Sequence, residues 1–220
     1  MQTPSLTTFL LWCLGAYLAG SIPFGLILVK LAGKGDVRTQ GSGNIGATNV
    51  LRTGGKALGL LTLVLDAAKG FAPVFLAKRF GFPAEALSWV ALAATAGHIY
   101  SPWLKFQGGK GVATALGAIL GYHPAMALPS LAGFALCLGL FRYVSLGSIV
   151  AALLLIPSAL GLFGAWACLP FLLGDLARYG VLAWILLPML VVRRHGANIQ
   201  RLLKGTESRL WGNSKEPRNA

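Results

Sequence analysis

The stretch LTTFLLWCLGAYLAGSIPFGLILV, residues 6–29, carries no charged side chain and is followed by Lys30 and Lys34. A helix that crosses a bilayer needs ~20 mainly apolar residues, so this run is long enough to cross. No Lys or Arg precedes it. A secretory signal peptide has the reverse arrangement, with its positive charge first. The run therefore reads as a retained membrane helix with its N-terminus outside. Pro23, close to Gly20 and Gly25, is expected to kink it.

Composition extends that reading to the whole chain. Among 220 residues, 55% are hydrophobic and 11% charged, against roughly 25% charged in a soluble domain. So few charges cannot cover a water-exposed surface of this size, and lipid must cover it. Cys13, Cys137 and Cys168 all sit in apolar runs, where they act as small hydrophobes rather than as a disulfide framework. The net charge of +13 would suit nucleic acid in a soluble protein. Here the basic residues lie between and after apolar segments, and the aromatics are not interleaved with them. Nucleic acid is excluded as a partner, leaving anionic lipid, phosphate substrates and topology to account for the charge.

Further apolar segments run over about 56–77, 84–100, 112–121, 125–141, 146–163 and 176–192. The fold class is an all-α polytopic membrane protein of about seven transmembrane helices, N-terminus outside and C-terminus cytoplasmic. Residues 1–205 form a single integral membrane domain and 206–220 a basic cytoplasmic tail. That orientation puts Lys30, Lys34, Arg38, Arg52, Lys56, Lys105, Lys110, Arg142 and the basic tail inside, with only Lys78, Arg79 and Arg178 outside. It obeys the positive-inside rule, and the opposite orientation inverts it. Five spans result if the fourth and fifth segments do not cross, and the tail is then still inside. Asp66 and Lys69, three apart, share a helix face on which they can neutralise each other.

Three inside stretches are neither apolar nor ordinary loops. Residues 41–52 read GSGNIGATNVLR. Gly41 and Gly43 with Asn44 allow backbone N–H groups to converge on an anion; Ser42, Thr48 and Asn49 add side-chain donors, and Arg52 adds a planar cationic fork. A flexible Gly/Ser loop between two helices is the plainer alternative. Residues 108–114, GGKGVAT, set Lys110 among Gly108, Gly109 and Gly111 where a helix opens, a second anion site. The third stretch, 193–207, reads RRHGANIQRLLKGTE. Helical spacing there places His195 and Asn198 on one face and Ile199, Leu202 and Leu203 on an opposite, buried stripe. His98 and His123, at helix ends without polar neighbours, read as structural or interfacial. No metal-ligand constellation, Gly-x-Ser-x-Gly elbow or His-x4-Asp pattern occurs.

In order and side, these stretches resemble the three cytoplasmic motifs of the bacterial acyl-phosphate:glycerol-3-phosphate acyltransferase family, often called PlsY. Residues 65–70, LDAAKG, are also similar to that family, and the resemblance covers nearly the whole chain. Two features depart from it. Gly196 and Ala197 stand where a charged pair is usual, and the sixth and seventh segments are joined by a longer stretch.

The resemblance implies a reaction. An acyl group passes from a fatty acyl phosphate to the 1-hydroxyl of sn-glycerol 3-phosphate, giving lysophosphatidic acid and phosphate, the first acylation in phospholipid synthesis. It implies no metal or organic cofactor, a bacterial cytoplasmic (inner) membrane location with the site on the cytoplasmic side, and coupling to the enzyme that makes acyl phosphate. The expected catalytic residues are Ser42, Lys110, His195 and Asn198. Ser42 and Asn198 are the hydrogen-bond candidates, while Lys110 and Arg52 grip phosphates. Two general bases remain open, His195 and the substrate's own phosphate dianion. Glu207 is expected to hold the tail. The alternative function is a small transporter for phosphate or glycerol phosphate, against which stands the gathering of all special residues on one side of the membrane.

Overall fold

The structure, a computed structural model, describes residues 4–159 and 177–210. Cys168, the end of the sixth apolar segment, the Gly174–Asp175 break and residues 211–220 lie outside the described residues. Among the described residues all regular structure is helical. Helix α1, Leu6–Ser21, opens at Ser5, whose hydroxyl accepts the Thr8 N–H at 3.2 Å. It breaks at Ile22, which is extended (φ −61°, ψ 119°), because the following Pro23 excludes the helical conformation and has no N–H to donate. The chain resumes as α2, Phe24–Leu31. The expected kink is therefore a full break within one membrane-length segment, Leu6–Leu31.

The polar stretch that follows is not simply a loop. It holds a 3₁₀ turn, Val37–Thr39, and a short helix α3, Ala47–Gly54. Gly55, at φ +99°, reverses the chain into α4, Lys56–Arg79. Then come α5, Ala84–Ile99; a 3₁₀ turn, Pro102–Leu104; α6, Val112–Tyr122; and α7, Pro124–Phe141. Helices α8, Val144–Ala159, α9, Ala177–Arg193, and α10, Gly196–Leu203, complete the order. Every apolar segment anticipated from the sequence is helical where described. Among the described residues three segments are long and apolar enough to cross a membrane: Leu6–Leu31, α4 and α7. The bent pair of Gly180–Arg193 and α10 (56°) makes a fourth if counted as one span. Helices α6 and α8 are apolar but shorter.

Small residues let the helices approach closely, as they must where lipid supplies no hydrophobic drive for association. A methyl group on Gly20 would lie 2.0 Å from Ala94 O, and one on Gly97 2.0 Å from Tyr17 O, so α1 and α5 meet backbone to backbone. The same holds for α4 and α6, where methyls on Gly70 and Gly117 would reach Thr114 O (2.0 Å) and Ala67 O (1.8 Å). Around these contacts α5, α6 and α9 bury Val90, Ala94, Ile119 and the fully enclosed Trp184. The indole of Trp184 meets Tyr122 edge-on at 4.9 Å. Leu10, Leu14, Leu60, Val64 and Leu136 point outward. Such an apolar exterior is what a lipid-facing surface requires.

Past α10 the chain stays on the bundle. The Leu210 N–H donates to Arg142 O at 2.8 Å, and the Arg209 guanidinium sits 5.5 Å from the centre of the Tyr143 ring. This holds Glu207 beside the start of α8, with consequences for the site.

Candidate active site

The first polar stretch is organised by one buried side chain. Asn49, 2% exposed, accepts the Ser42 N–H on Oδ1 at 2.8 Å. Its Nδ2 donates to the carbonyls of Val37 (3.1 Å), Gln40 (3.0 Å) and Asn44 (2.9 Å). A buried amide must satisfy its own polar groups, and here it does so by gathering the loop around itself. The Gly43 N–H donates to Gln40 O, and the Gly46 N–H to Asn44 Oδ1. The N–H groups of Ser42, Gly43 and Gly46 are thus engaged within the loop. Gly41 serves the same loop. At φ +56° it leaves the space that Asn49 Oδ1 occupies, 2.4 Å from where a methyl would sit. Ser42 and Asn44 line a cleft. Thr48, half-buried on α3, and Arg52 are not among that cleft's lining; Arg52 points to the C-terminal segment, its Nη2 3.4 Å from Ser208 O.

The second stretch is engaged in the same way. The Gly108 and Gly109 N–H groups donate to Ile99 O and His98 O, both at 3.0 Å, so neither is available to an anion. Their carbonyls accept from Arg194, Nη2 to Gly108 O at 2.8 Å and Nε to Gly109 O at 3.2 Å. Both glycines seat the turn against α5. Gly111, at φ +84°, starts α6 in a conformation that favours glycine. What this clamped turn presents to the cleft is Lys110, whose Nζ donates to Asn198 Oδ1 at 2.5 Å.

His195 and Asn198 do share a face at the α9–α10 corner, and that face is the buried one. The expected apolar stripe is not a buried one: Ile199 and Leu202 are half-buried and Leu203 is 84% exposed. His195, 1% exposed, has Nδ1 2.7 Å from Val191 O. A carbonyl only accepts, so Nδ1 carries the proton and Nε2 is left with its lone pair. Burial pushes the ring pKa down to about 4, opposed by the Val191 bond and aided by the Lys110 charge.

Glu207 ties the site together. Its Oε1 accepts from Asn198 Nδ2 and from Ser145 Oγ, each at 2.7 Å, and its Oε2 from Arg201 Nε at 2.7 Å. Burial works against its charge, but the bonds from Ser145, Asn198 and Arg201 win and hold the carboxyl below its usual range. Lys110 responds to the same surroundings. Burial lowers its pKa to about 8; Glu207 opposes this, while the Arg201, Arg52 and Arg194 charges add to it.

The cleft, about 420 Å³, is walled by Ser42 and Asn44 from the first stretch, Lys110 from the second and Asn198 from the third. Tyr100, Arg193, Arg194 and Arg201 complete its polar lining. Reading the sequence did not single these four out, nor Ser145. The arginines stood in the quoted third stretch, where their charge was a usable signal; Tyr100 and Ser145 carried none. Among the described residues no three His, Cys, Asp or Glu side chains group as a metal site. One lysine and three arginines around a small cleft suit an anion, and the surplus of positive charge has room for more than one.

A bundle that is helical throughout its described residues, with an apolar exterior and a cationic cleft, defines the class: a membrane protein that handles anionic substrates. Residues 10–205 match the family model described as glycerol-3-phosphate acyltransferase. The protein named glycerol-3-phosphate acyltransferase from Trichlorobacter lovleyi is 47% identical over 206 residues, 93% of this chain and 98% of that one. Its namesake from Burkholderia ambifaria is 43% identical over 212 residues, 96% and 94% of the two chains. A crystal structure of PlsY, an integral membrane glycerol 3-phosphate acyltransferase, in its glycerol 3-phosphate form superposes with a TM-score of 0.80 at 41% identity, covering 93% of this chain and 96% of that one. The lysophosphatidic acid form gives 0.76 at 40% identity, covering 91% and 94%. The chain belongs to the glycerol-3-phosphate acyltransferase family. Membership favours acyl transfer over the transporter alternative.

Proposed function

We propose that the protein transfers an acyl group from a fatty acyl phosphate to the 1-hydroxyl of sn-glycerol 3-phosphate, forming lysophosphatidic acid and inorganic phosphate. The observation that carries this is the meeting of Ser42, Lys110 and Asn198 with three arginines in one cleft of a chain in this family. Both substrates bring a phosphate, and the cleft has cations for two. An acyl phosphate is a mixed anhydride with a good leaving group. The hydroxyl oxygen bonds to the acyl carbon, the bond from that carbon to the phosphate oxygen breaks, and phosphate departs without a covalent acyl-enzyme.

The protein's share is orientation and charge stabilisation. Lys110, held by one N–H on Asn198 Oδ1, keeps two N–H groups for the developing oxyanion or the leaving phosphate. Asn198 orients that ammonium rather than donating to the substrate, since its Nδ2 is engaged by Glu207. Ser42, which lines the cleft, donates its hydroxyl to a substrate oxygen. The hydroxyl proton goes to a substrate phosphate dianion. A ring pKa of about 4 makes His195 the poorer base, and its Val191 bond suits it to holding the α9–α10 corner.

The topology follows the basic residues: seven spans, N-terminus outside, site and C-terminus in the cytoplasm, in a bacterial inner membrane. Residues 1–205 form the catalytic body, and the basic tail contributes Glu207 to it. A labile donor favours coupling to the enzyme that makes it. Purified protein in detergent, given an acyl phosphate with and without glycerol 3-phosphate, tests the reading. Lysophosphatidic acid and phosphate in equal amounts are expected only with the acceptor, and their absence refutes it.

A further inference from the structure

Beneath the Lys110 turn lies a buried polar cluster that the reaction does not call on directly. Asp66 and Lys69 of α4 form an ion pair at 2.6 Å, and both side chains are buried. Lys69 Nζ also donates at 2.7 Å to Ile22 O, a carbonyl at the Pro23 break. On the other side, His98 in the last turn of α5 is 4% exposed, and its Nδ1 faces Asp66 Oδ1 at 3.7 Å. The sequence placed His98 without polar neighbours; Asp66 from another helix is its neighbour. The far edge of the ring is against Gly109, where a methyl group would lie 2.0 Å from His98 Nε2.

We propose that His98 is a positioning residue for Lys110: its ring, packed between Asp66 and Gly109, is the seat on which Gly109 rests and so fixes where the neighbouring lysine points. The turn is gripped on every side at this one residue. Its N–H is bonded to His98 O, its carbonyl to Arg194, and its missing side chain is replaced by the imidazole. Remove the ring and the turn can sink toward Asp66, drawing Lys110 Nζ off Asn198 Oδ1. Asp66 and Lys69 hold the seat from below by tying α4 to the α1–α2 break. A misplacement of about 1 Å at a reacting group typically costs on the order of 10²-fold in rate.

The proposal rests on Lys110 acting in the transfer, and the experiment separates the two. Steady-state kcat and KM for glycerol 3-phosphate are measured for Lys110→Ala, His98→Ala, their double variant, Gly109→Ala and Gly109→Ala/His98→Ala, each checked for folding by gel filtration in detergent. Expected is a kcat loss of about 10- to 100-fold for His98→Ala with KM changed by less than about threefold. In the double variant the loss should be no greater than for Lys110→Ala alone, because residues acting as a unit are non-additive. Gly109→Ala, which drives a methyl into the ring, should lose kcat likewise, and removing the ring in the double variant should restore part of it.

Losses that multiply in the Lys110 double variant overturn the seat, as does a His98→Ala enzyme with unchanged kcat. An unimpaired Lys110→Ala enzyme instead overturns the reading of the reaction. Should His98→Ala not fold, His98→Asn replaces it, keeping a polar group toward Asp66 while vacating the space at Gly109, with the same expected outcomes.

Discussion

Asn198 stands between Lys110 and Glu207 in a single hydrogen-bonded line: the ammonium donates to its Oδ1 at 2.5 Å, and its Nδ2 donates to the carboxylate at 2.7 Å. The amide cannot flip without facing donor with donor and acceptor with acceptor. The line joins the second stretch to the start of α10 and to the segment that follows it, both within the third, and it carries the predictions for the chemical step.

If Lys110 stabilises charge that grows during transfer, Lys110→Ala lowers kcat more than it raises KM. A loss on the order of 10²–10³ is expected, as for other single donors of this type. Lys110→Arg recovers little, because a flat guanidinium cannot occupy the place of a compact ammonium on a clamped turn. Steady-state kinetics with acyl phosphate and glycerol 3-phosphate varied in turn decide it; a pure KM effect sinks the role.

Glu207→Gln breaks the line without changing its size. A carboxylate serves Asn198 and Ser145 on one oxygen and Arg201 on the other, whereas glutamine has only one accepting oxygen. The expected loss in kcat is about 10-fold or more from an unpaired buried donor. Unchanged kcat would show that Asn198 holds its orientation unaided.

The pH dependence has a definite sign. Lys110 acts protonated, and its pKa is lowered by burial to about 8, so kcat falls as pH rises through that region. In Glu207→Gln the carboxylate that raises this pKa is gone, and the alkaline limb moves to lower pH. A limb that stays put, or moves up, contradicts the assignment of that limb to Lys110.

His195→Gln separates positioning from base catalysis. An amide can donate to Val191 O but cannot take up a proton near neutrality. With the substrate phosphate as base, the variant keeps a large share of kcat and the shape of its pH profile. A loss of ~10³ with a flattened profile hands the proton to His195.

Topology is open to chemical labelling. In a background without the native cysteines, Ser5→Cys and Ser208→Cys, both at exposed positions, are treated in intact cells with a membrane-impermeant thiol reagent. Labelling at Ser5 alone is expected. Labelling at Ser208 in sealed cells reverses the orientation.

The sequence by itself determined that this is a lipid-covered helical protein and where its apolar helices run, though not the short helix α3 in the polar stretch. Those properties are local: the apolar length of residues 6–29, the break imposed by Pro23 and the basic residues between the segments can all be read along one strand of chain. It also supplied the three stretches that meet in the cleft, with Ser42, Lys110 and Asn198 among the residues brought together. Tertiary structure alone decided what those stretches do to one another. Asn49 and the pair Gly108–Gly109 looked like phosphate binders because a glycine-rich loop has the same composition whether its N–H groups face an anion or a neighbouring carbonyl. In the structure the Val37, Gln40 and Asn44 carbonyls take the Asn49 amide, and the His98 and Ile99 carbonyls take the Gly109 and Gly108 N–H groups. Ser145 reaches Glu207 across 62 positions, and Lys110 reaches Asn198 across 88. Pairings over such separations leave no periodicity to read, because packing of α5, α6, α8 and α9 creates them.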